Sequence, residues 1–402
     1  MVERALAAAD ALAREECARW GVPGLAVGVV ADGETAVRAW GVASVERGEP
    51  LAPDATFRIA SVTKPFTAAL ADTVLDLDAP LETPAGPATV RQLLAHLGGL
   101  RCEAERPLDG FASVSEAVAG AGLRAFGRPG ELWVYSNAGY WIVGAAIEHV
   151  TGTSFDAAMQ ANVLEPRGLG GIGFGPPSTV GSEPVAPGAV EHRAYPVSHY
   201  PVPRRPSGGL VARVADLLRF ADGSWATIEP LAERPGGEQG PGWMVERRGD
   251  RRVVHHPGSA AGFESILALV PDRRVAVAAL SNSARGSAAF TTVVDALLEA
   301  VADVPPWSPR LADLPPEELE PLAGRYAGPD EEVVVAVRGA ALGVQLSERD
   351  PFTGETVTSP EFRGRPTSPR AFAVLEGEAA GSSFDFPGSR FRMGSVLADR
   401  VP

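Results

Sequence analysis

The chain changes its hydrophobic period several times, and each change marks an element. Residues 1–20, MVERALAAADALAREECARW, mix apolar and acidic positions at helical spacing and read as an amphipathic helix. GLAVGVVADGETAVRAWGVAS then alternates with a period of two and breaks at Asp32-Gly33, the signature of a hairpin between two antiparallel strands. FRIASVTKPFTAAL (57–70) leads into a helix, and TVRQLLAHLGGL (89–100) is a short helix closed by glycines. GRPGELWVYSNAGYWIVGAAIEHVTG (127–152) gives a turn, an extended piece and a helix from about Ala138, and TSFDAAMQANVLEPRGLG carries another helix capped by Thr153 or Ser154. Residues 172–207 are rich in Pro, Gly and Ser and read as a long irregular loop, whereas GGLVARVADLLRF (208–220) returns to helix.

The densest strand signal is VERRGDRRVVHHPGSAAGFESILALVPDRRVAVAALSNS (245–283), three apolar runs with a Pro-Asp turn between the last two, followed by a helix over about Ser287–Ala302. Strands therefore come from both ends of this region with helices between them, which predicts one antiparallel sheet flanked by helices, an α+β fold. VPPWSPRLADLPPEELEPL is a proline-rich boundary, and beyond it GRYAG, EEVVVAVRG, ALGVQL, RAFAVLEG and SSFDFPG read as short strands separated by turns. The expected organisation is a main domain over 1–303, a linker over 304–319 and a small all-β, barrel-like domain over 320–402.

Composition narrows the partners. At 402 residues the chain can bury a large core, and its net charge of −14 argues against nucleic acid or an anionic membrane surface as partner. No apolar run reaches membrane-spanning length, and the acid-studded first twenty residues do not resemble a signal peptide, so a cytoplasmic protein is expected. Cys17 and Cys102 match no metal or redox spacing and are expected to be free thiols. The six histidines form no tight cluster with Glu or Cys, so neither a metal nor another cofactor is expected.

Of the 36 lysines and arginines, one is a lysine, Lys64, and it stands three residues after Ser61. Arginine stays protonated in any protein environment, whereas burial can bring a lysine amine to neutrality. Ser-x-x-Lys at the start of a helix puts the hydroxyl and the amine on one face, where the amine can take the serine proton. Two further stretches carry candidate chemistry. In Tyr135-Ser136-Asn137, a tyrosine beside a lysine ammonium would lose its proton more easily, and Asn137 offers an amide to a substrate carbonyl or to the lysine. In His256-Pro257-Gly258-Ser259, the glycine lets a substrate lie along the strand, and the backbone N–H of Ser259, with that of Ser61, could form an oxyanion hole.

Taken with FRIASVTK, LLAHLGGL, ANVLEPRGLG and HPGSAAGFES, these stretches resemble the class C β-lactamase and penicillin-binding-protein superfamily of active-site serine enzymes over roughly residues 15–300. The resemblance implies an acylated Ser61, a proton-transfer pair of Lys64 and Tyr135, and substrate contacts from Asn137, His256, Gly258 and Ser259. It implies the same antiparallel sheet, and LAGRYAG resembles the lipocalin-like domain appended to some D-aminopeptidases, esterases and peptide cyclases. Pro257 departs from the pattern: where many relatives carry threonine, glycine or serine it has neither hydroxyl nor N–H, which argues against β-lactam and carboxypeptidase specificity. The expected function is hydrolysis or transfer of the acyl group of a small ester, amide or (D-)peptide, free or carried on a carrier protein. The alternatives are an acyltransferase or stand-alone peptide cyclase, and a non-catalytic sensor. Tyr195, His199 and Tyr200 of the 172–207 loop are further candidates for substrate contact.

Overall fold

The computed structural model describes residues 1–186, 189–196, 200–224, 228–350 and 353–402. The hairpin of β1 (Gly24–Ala31) and β2 (Glu34–Gly41) turns at Asp32 and Gly33, both with positive φ (50° and 78°), as the sequence predicts. Six more strands complete the sheet: β3 (Ala232–Arg234), β4 (Gly237–Gly240), β5 (Trp243–Arg248), β6 (Arg251–Ala260), β7 (Phe263–Val270) and β8 (Val275–Ser281). Their spatial order is β3-β4-β5-β6-β7-β8-β1-β2, antiparallel throughout, so the N-terminal hairpin docks on the last strand of the C-terminal run. β3 and β4 go unread in the sequence, because their Gly, Gln and charged residues carry no apolar alternation.

Every residue of β1 is buried, and its side chains divide by parity. Leu25, Val27 and Val29 pack with α1 (Val2–Ala8), α2 (Asp10–Trp20) and α6 (Gly286–Ala302), while Ala26 and Val30 join the larger core on the opposite face. That second core includes α3 (Thr63–Val74), α4 (Asn137–Thr151) and α5 (Val214–Asp222). α5 lies so close to the sheet that a Cβ at Gly28 would sit 2.7 Å from Val214 Cγ1. The helix predicted over 208–220 starts only at Val214, because Val211 and Ala212 pair as a short strand with Arg58 and Phe57 and anchor the chain beside Ser61.

Beyond residue 303 the chain runs without regular structure to Pro315 and then builds a closed antiparallel barrel. Its eight strands are β9 (Gly324–Ala327), β10 (Glu331–Val337), β11 (Leu342–Arg349), β12 (Phe362–Ser368), β13 (Ala371–Val374), β14 (Ser383–Asp385), β15 (Arg390–Met393) and β16 (Val396–Val401). They run β10-β9-β16-β15-β14-β13-β12-β11, and β11 pairs back to β10, which leaves no open edge within the ring. Phe372, Phe384, Phe386 and Phe391 fill the interior, each burial contributing about 1.5–3 kcal/mol.

Candidate functional site

Ser61 lies in a single 3₁₀ turn, Ala60–Val62, that feeds α3. Ala60 has φ 45°, left-handed for a residue with a Cβ, and this strained step lifts the serine out of the strand-to-helix path. The turn is fastened to β6 and β7: the Ser265 hydroxyl donates to the Ile59 carbonyl at 2.7 Å. A side chain at position 258 would meet Ser265 Oγ at 2.4 Å, Ile59 O at 2.5 Å and Ser61 N at 2.9 Å, so only glycine lets the strand press against the serine backbone.

Lys64 is fully buried, with Nζ 3.2 Å from Ser61 Oγ, 2.8 Å from Asn137 Oδ1 and 2.7 Å from the Ser207 carbonyl. Burial brings its amine down to about 7, against the upward pull of nearby Cys102 and Glu103. The amine also lies 4.8 Å from the ring centroid of Tyr135 and 5.1 Å from that of Tyr140. Tyr135 hydrogen-bonds Ser61, yet burial pushes its phenol well above the usual value. The expectation that the lysine would make Tyr135 more acidic is therefore reversed: desolvation of a phenolate outweighs the neighbouring amine, and Tyr135 keeps its proton.

Several groups missed in the sequence hold this arrangement. Asn137 opens α4 behind the N-cap Ser136, and its Nδ2 donates to Glu103 Oε1 at 2.8 Å while Glu103 Oε2 pairs with the buried Arg204 at 2.7 Å. A chain of contacts thus runs from Arg204 through Glu103 and Asn137 to Lys64, fixing which end of the amide faces the amine. His96, in a left-handed conformation with φ 61°, stacks on Tyr135 at 4.2 Å between centroids, and its Nδ1 accepts the Ser136 N–H at 3.0 Å. Neither Glu103 nor Arg204 stands in a pattern that singles it out, and His96 was legible only as part of LLAHLGGL.

β6 pairs with β5 only up to His255, opposite Met244, so its last residues present an open edge. Ala260 and Phe263 flank a two-residue turn at Ala261–Gly262 and form a hydrogen-bonded pair. Alternation then makes Ser259 and Glu264 a non-hydrogen-bonded pair, which turns the Ser259 N–H away from β7 toward the open edge. His256, fully buried, has its Nδ1 2.6 Å from the Pro257 carbonyl. A carbonyl only accepts, so Nδ1 carries the proton and Nε2, without a partner among the described residues, carries a lone pair.

These groups meet in a cavity of about 440 Å³ lined by Ser61, Tyr135, Asn137, His256, Gly258 and Ser259, and walled on the far side by barrel residues including Glu331, Glu348, Gly394 and Val396. The barrel is tied to the tyrosine segment: the Tyr135 N–H donates to the Gly394 carbonyl at 3.1 Å, and Arg392 Nη1 donates to the Trp133 carbonyl at 2.7 Å. Arg101 pairs with Glu331 at 3.1 Å, and Arg124 pairs with Asp330. Tyr195 and Tyr200 do not line the cavity; the Tyr195 hydroxyl donates to Asp350 of the barrel at 3.0 Å, and His199 lies outside the described residues. Cys17 and Cys102 are free thiols.

Comparison with known proteins gives this arrangement its relatives. Residues 9–302 match the protein family described as Beta-lactamase. A D-aminopeptidase of Gluconobacter oxydans (strain 621H) is 30% identical, over 89% of this chain and 75% of its own. Penicillin-binding protein 4 of Amycolatopsis lactamdurans is 27% identical, over 76% of this chain and 93% of its own. Among solved structures, the crystal structure of SurE superposes with a TM-score of 0.74 at 29% identity, covering 99% of this chain and all of that one. Penicillin-binding proteins and β-lactamases, of the periplasmic and extracytoplasmic kind, are among the relatives, and they overturn the cytoplasmic expectation. The acid-studded N-terminal stretch misled because it answers to packing: Val2 and Leu6 are buried in the sheet's core, and such a stretch reports nothing of compartment.

Proposed function

The chain belongs to the Beta-lactamase family, and from that premise we propose that Ser61 is acylated by a small ester, amide or D-configured peptide, with Lys64 as the base. One observation carries the reading. A neutral amine has two protons and one lone pair, and two of the three contacts of Lys64, Asn137 Oδ1 and the Ser207 carbonyl, only accept. Both amine protons are directed to those oxygens, and the lone pair faces the third contact, Ser61 Oγ at 3.2 Å. With the amine neutral, the serine O–H donates to Lys64 and the Tyr135 O–H to Ser61; with it charged, Lys64 donates to Ser61.

In this mechanism Ser61 Oγ forms a bond to the acyl carbon while its proton passes to Lys64. The oxyanion is met by the backbone N–H groups of Ser61 and Ser259. As the bond to the leaving group breaks, Tyr135 gives its proton to that group and recovers one from Lys64. Asn137, with one amide proton not engaged by Glu103, holds the substrate carbonyl beside His256 and Gly258. Water then releases the free acid. Relatives named a D-aminopeptidase and a D-amino acid amidase, and SurE with D-Leu, support a D-configured substrate. Acyl transfer or peptide cyclisation is the second reading, and it requires that the barrel wall of the cavity keep water from the acyl-enzyme. The reading takes residues 1–303 as the catalytic domain, 304–319 as linker and 320–402 as a lipocalin-like barrel.

The test is intact-protein mass spectrometry with p-nitrophenyl and D- and L-peptide esters, with and without added amines. An adduct absent from Ser61→Ala and released as free acid supports a hydrolase, and partition to an amide supports a transferase. No adduct from any ester would refute acylation at Ser61.

A further inference from the structure

The ionisable groups lining the cavity do not balance. Arg101 and Arg124 are neutralised by Glu331 and Asp330, and Glu103 by Arg204. Arg349 also lines the cavity, with its Nε donating to the Gly354 carbonyl at 3.2 Å, and is the one guanidinium there without a carboxylate partner among the described residues, set against two such carboxylates. Glu264 of β7 and Glu348 of β11 line the same cavity and have no ion pair among the described residues. One comes from the sheet and one from the barrel.

The hydrogen-bonding groups around them have the same bias. Pro257 has no N–H. His256 Nε2 carries a lone pair, because Nδ1–H is held by the Pro257 carbonyl. The Ser259 hydroxyl, which could donate, is bonded to Glu264. Apart from the Ser259 N–H reserved for the oxyanion, this wall therefore offers acceptors, which suit a group rich in N–H donors. Burial pushes the Glu264 carboxyl up to about 8, the condition of a buried acid without its counter-ion.

We propose that Glu264, assisted by Glu348, is the counter-ion for a free, protonated amino group on the acyl donor, so that the enzyme selects unblocked amino-acyl substrates over N-acylated or anionic ones. The amine is placed on the donor because a carboxylate keeps it protonated, whereas an attacking amine must be neutral. The proposal rests on the reading of this cavity as an acylation site, but its test does not need turnover.

In full-length Ser61→Ala, the affinities of D- and L-leucinamide and phenylalaninamide are compared with those of their N-acetyl counterparts by calorimetry at neutral pH. At least one free amine should bind about 10- to 100-fold more tightly than its N-acetyl form, the range of a charge-assisted hydrogen bond. Glu264→Gln in the same background should remove most of that ratio, and Glu348→Gln part of it. The ratio is the readout, since partial misfolding lowers both affinities together. Equal affinities, absence of binding by every amide, or a ratio untouched by Glu264→Gln would overturn the proposal. Loss of the mass adduct at Ser61 would instead strike the acylation reading alone.

Discussion

Lys64 Nζ stands 3.2 Å from Ser61 Oγ in a pocket that admits no water to the amine, and its two shorter contacts, at 2.7 and 2.8 Å, are both to carbonyl-type oxygens. The geometry explains why a chain that writes every other basic residue as arginine keeps one lysine. A guanidinium cannot give up its charge, so it has no lone pair to offer the serine proton.

Lys64→Arg should therefore abolish acylation while leaving the protein folded. The check is the Ser61 mass adduct beside far-ultraviolet circular dichroism. Near-normal adduct formation would remove Lys64 from proton transfer.

The acylation rate should rise with pH through about 7, as the lysine loses the proton that blocks its lone pair. Between about 7 and the ordinary lysine value of 10.5 the unfolded chain binds this proton and the folded one does not, so Lys64 makes stability rise with pH across that window. The burst rate with an activated ester, followed from pH 5.5 to 9, tests the first. Melting temperatures of the wild type against Lys64→Met test the second, with the gap moving in favour of the wild type as pH rises.

Glu103→Gln should shift the midpoint of that rate profile to lower pH, because Glu103 pulls the lysine upward. It should also cost roughly 1–3 kcal/mol of stability by leaving the buried Arg204 without its carboxylate. An unchanged midpoint would separate Glu103 from the electrostatics of the amine.

Arg392→Ala should slow acylation more than it lowers the melting temperature. Arg392 joins the barrel to the Trp133 carbonyl two residues before Tyr135, and Gly394 accepts the Tyr135 N–H. Deleting the barrel should accordingly lose acylation as well as substrate handling. A truncated, folded protein that still acylates at the normal rate would make the barrel an accessory.

The sheet, the N-terminal hairpin and the helix behind Tyr135 were legible because their periods are carried by apolar residues in sequence order, as in the alternating faces of β1. β3 and β4 were not, since they are held by backbone pairing at a sheet edge and have no apolar face to write into the sequence. The site shows the same divide. Ser61, Lys64, Tyr135 and Asn137 stand in local spacings that chemistry recognises. Glu103 and Arg204 lie 101 residues apart in the chain and meet only in the fold, so nothing local marks them. The acidity of Tyr135 was misjudged because the sequence shows the charge beside it and not the burial around it.

Because Lys64 is the only lysine, protein labelled with ¹⁵N-lysine gives a single side-chain Nζ signal, and its pH titration reads the amine of the site directly. A midpoint near 7 is expected, present in Ser61→Ala and moved to lower pH in Glu103→Gln. A midpoint near the ordinary lysine value, about 10.4, would mean that the amine is charged throughout the working range and would contradict its role as the base.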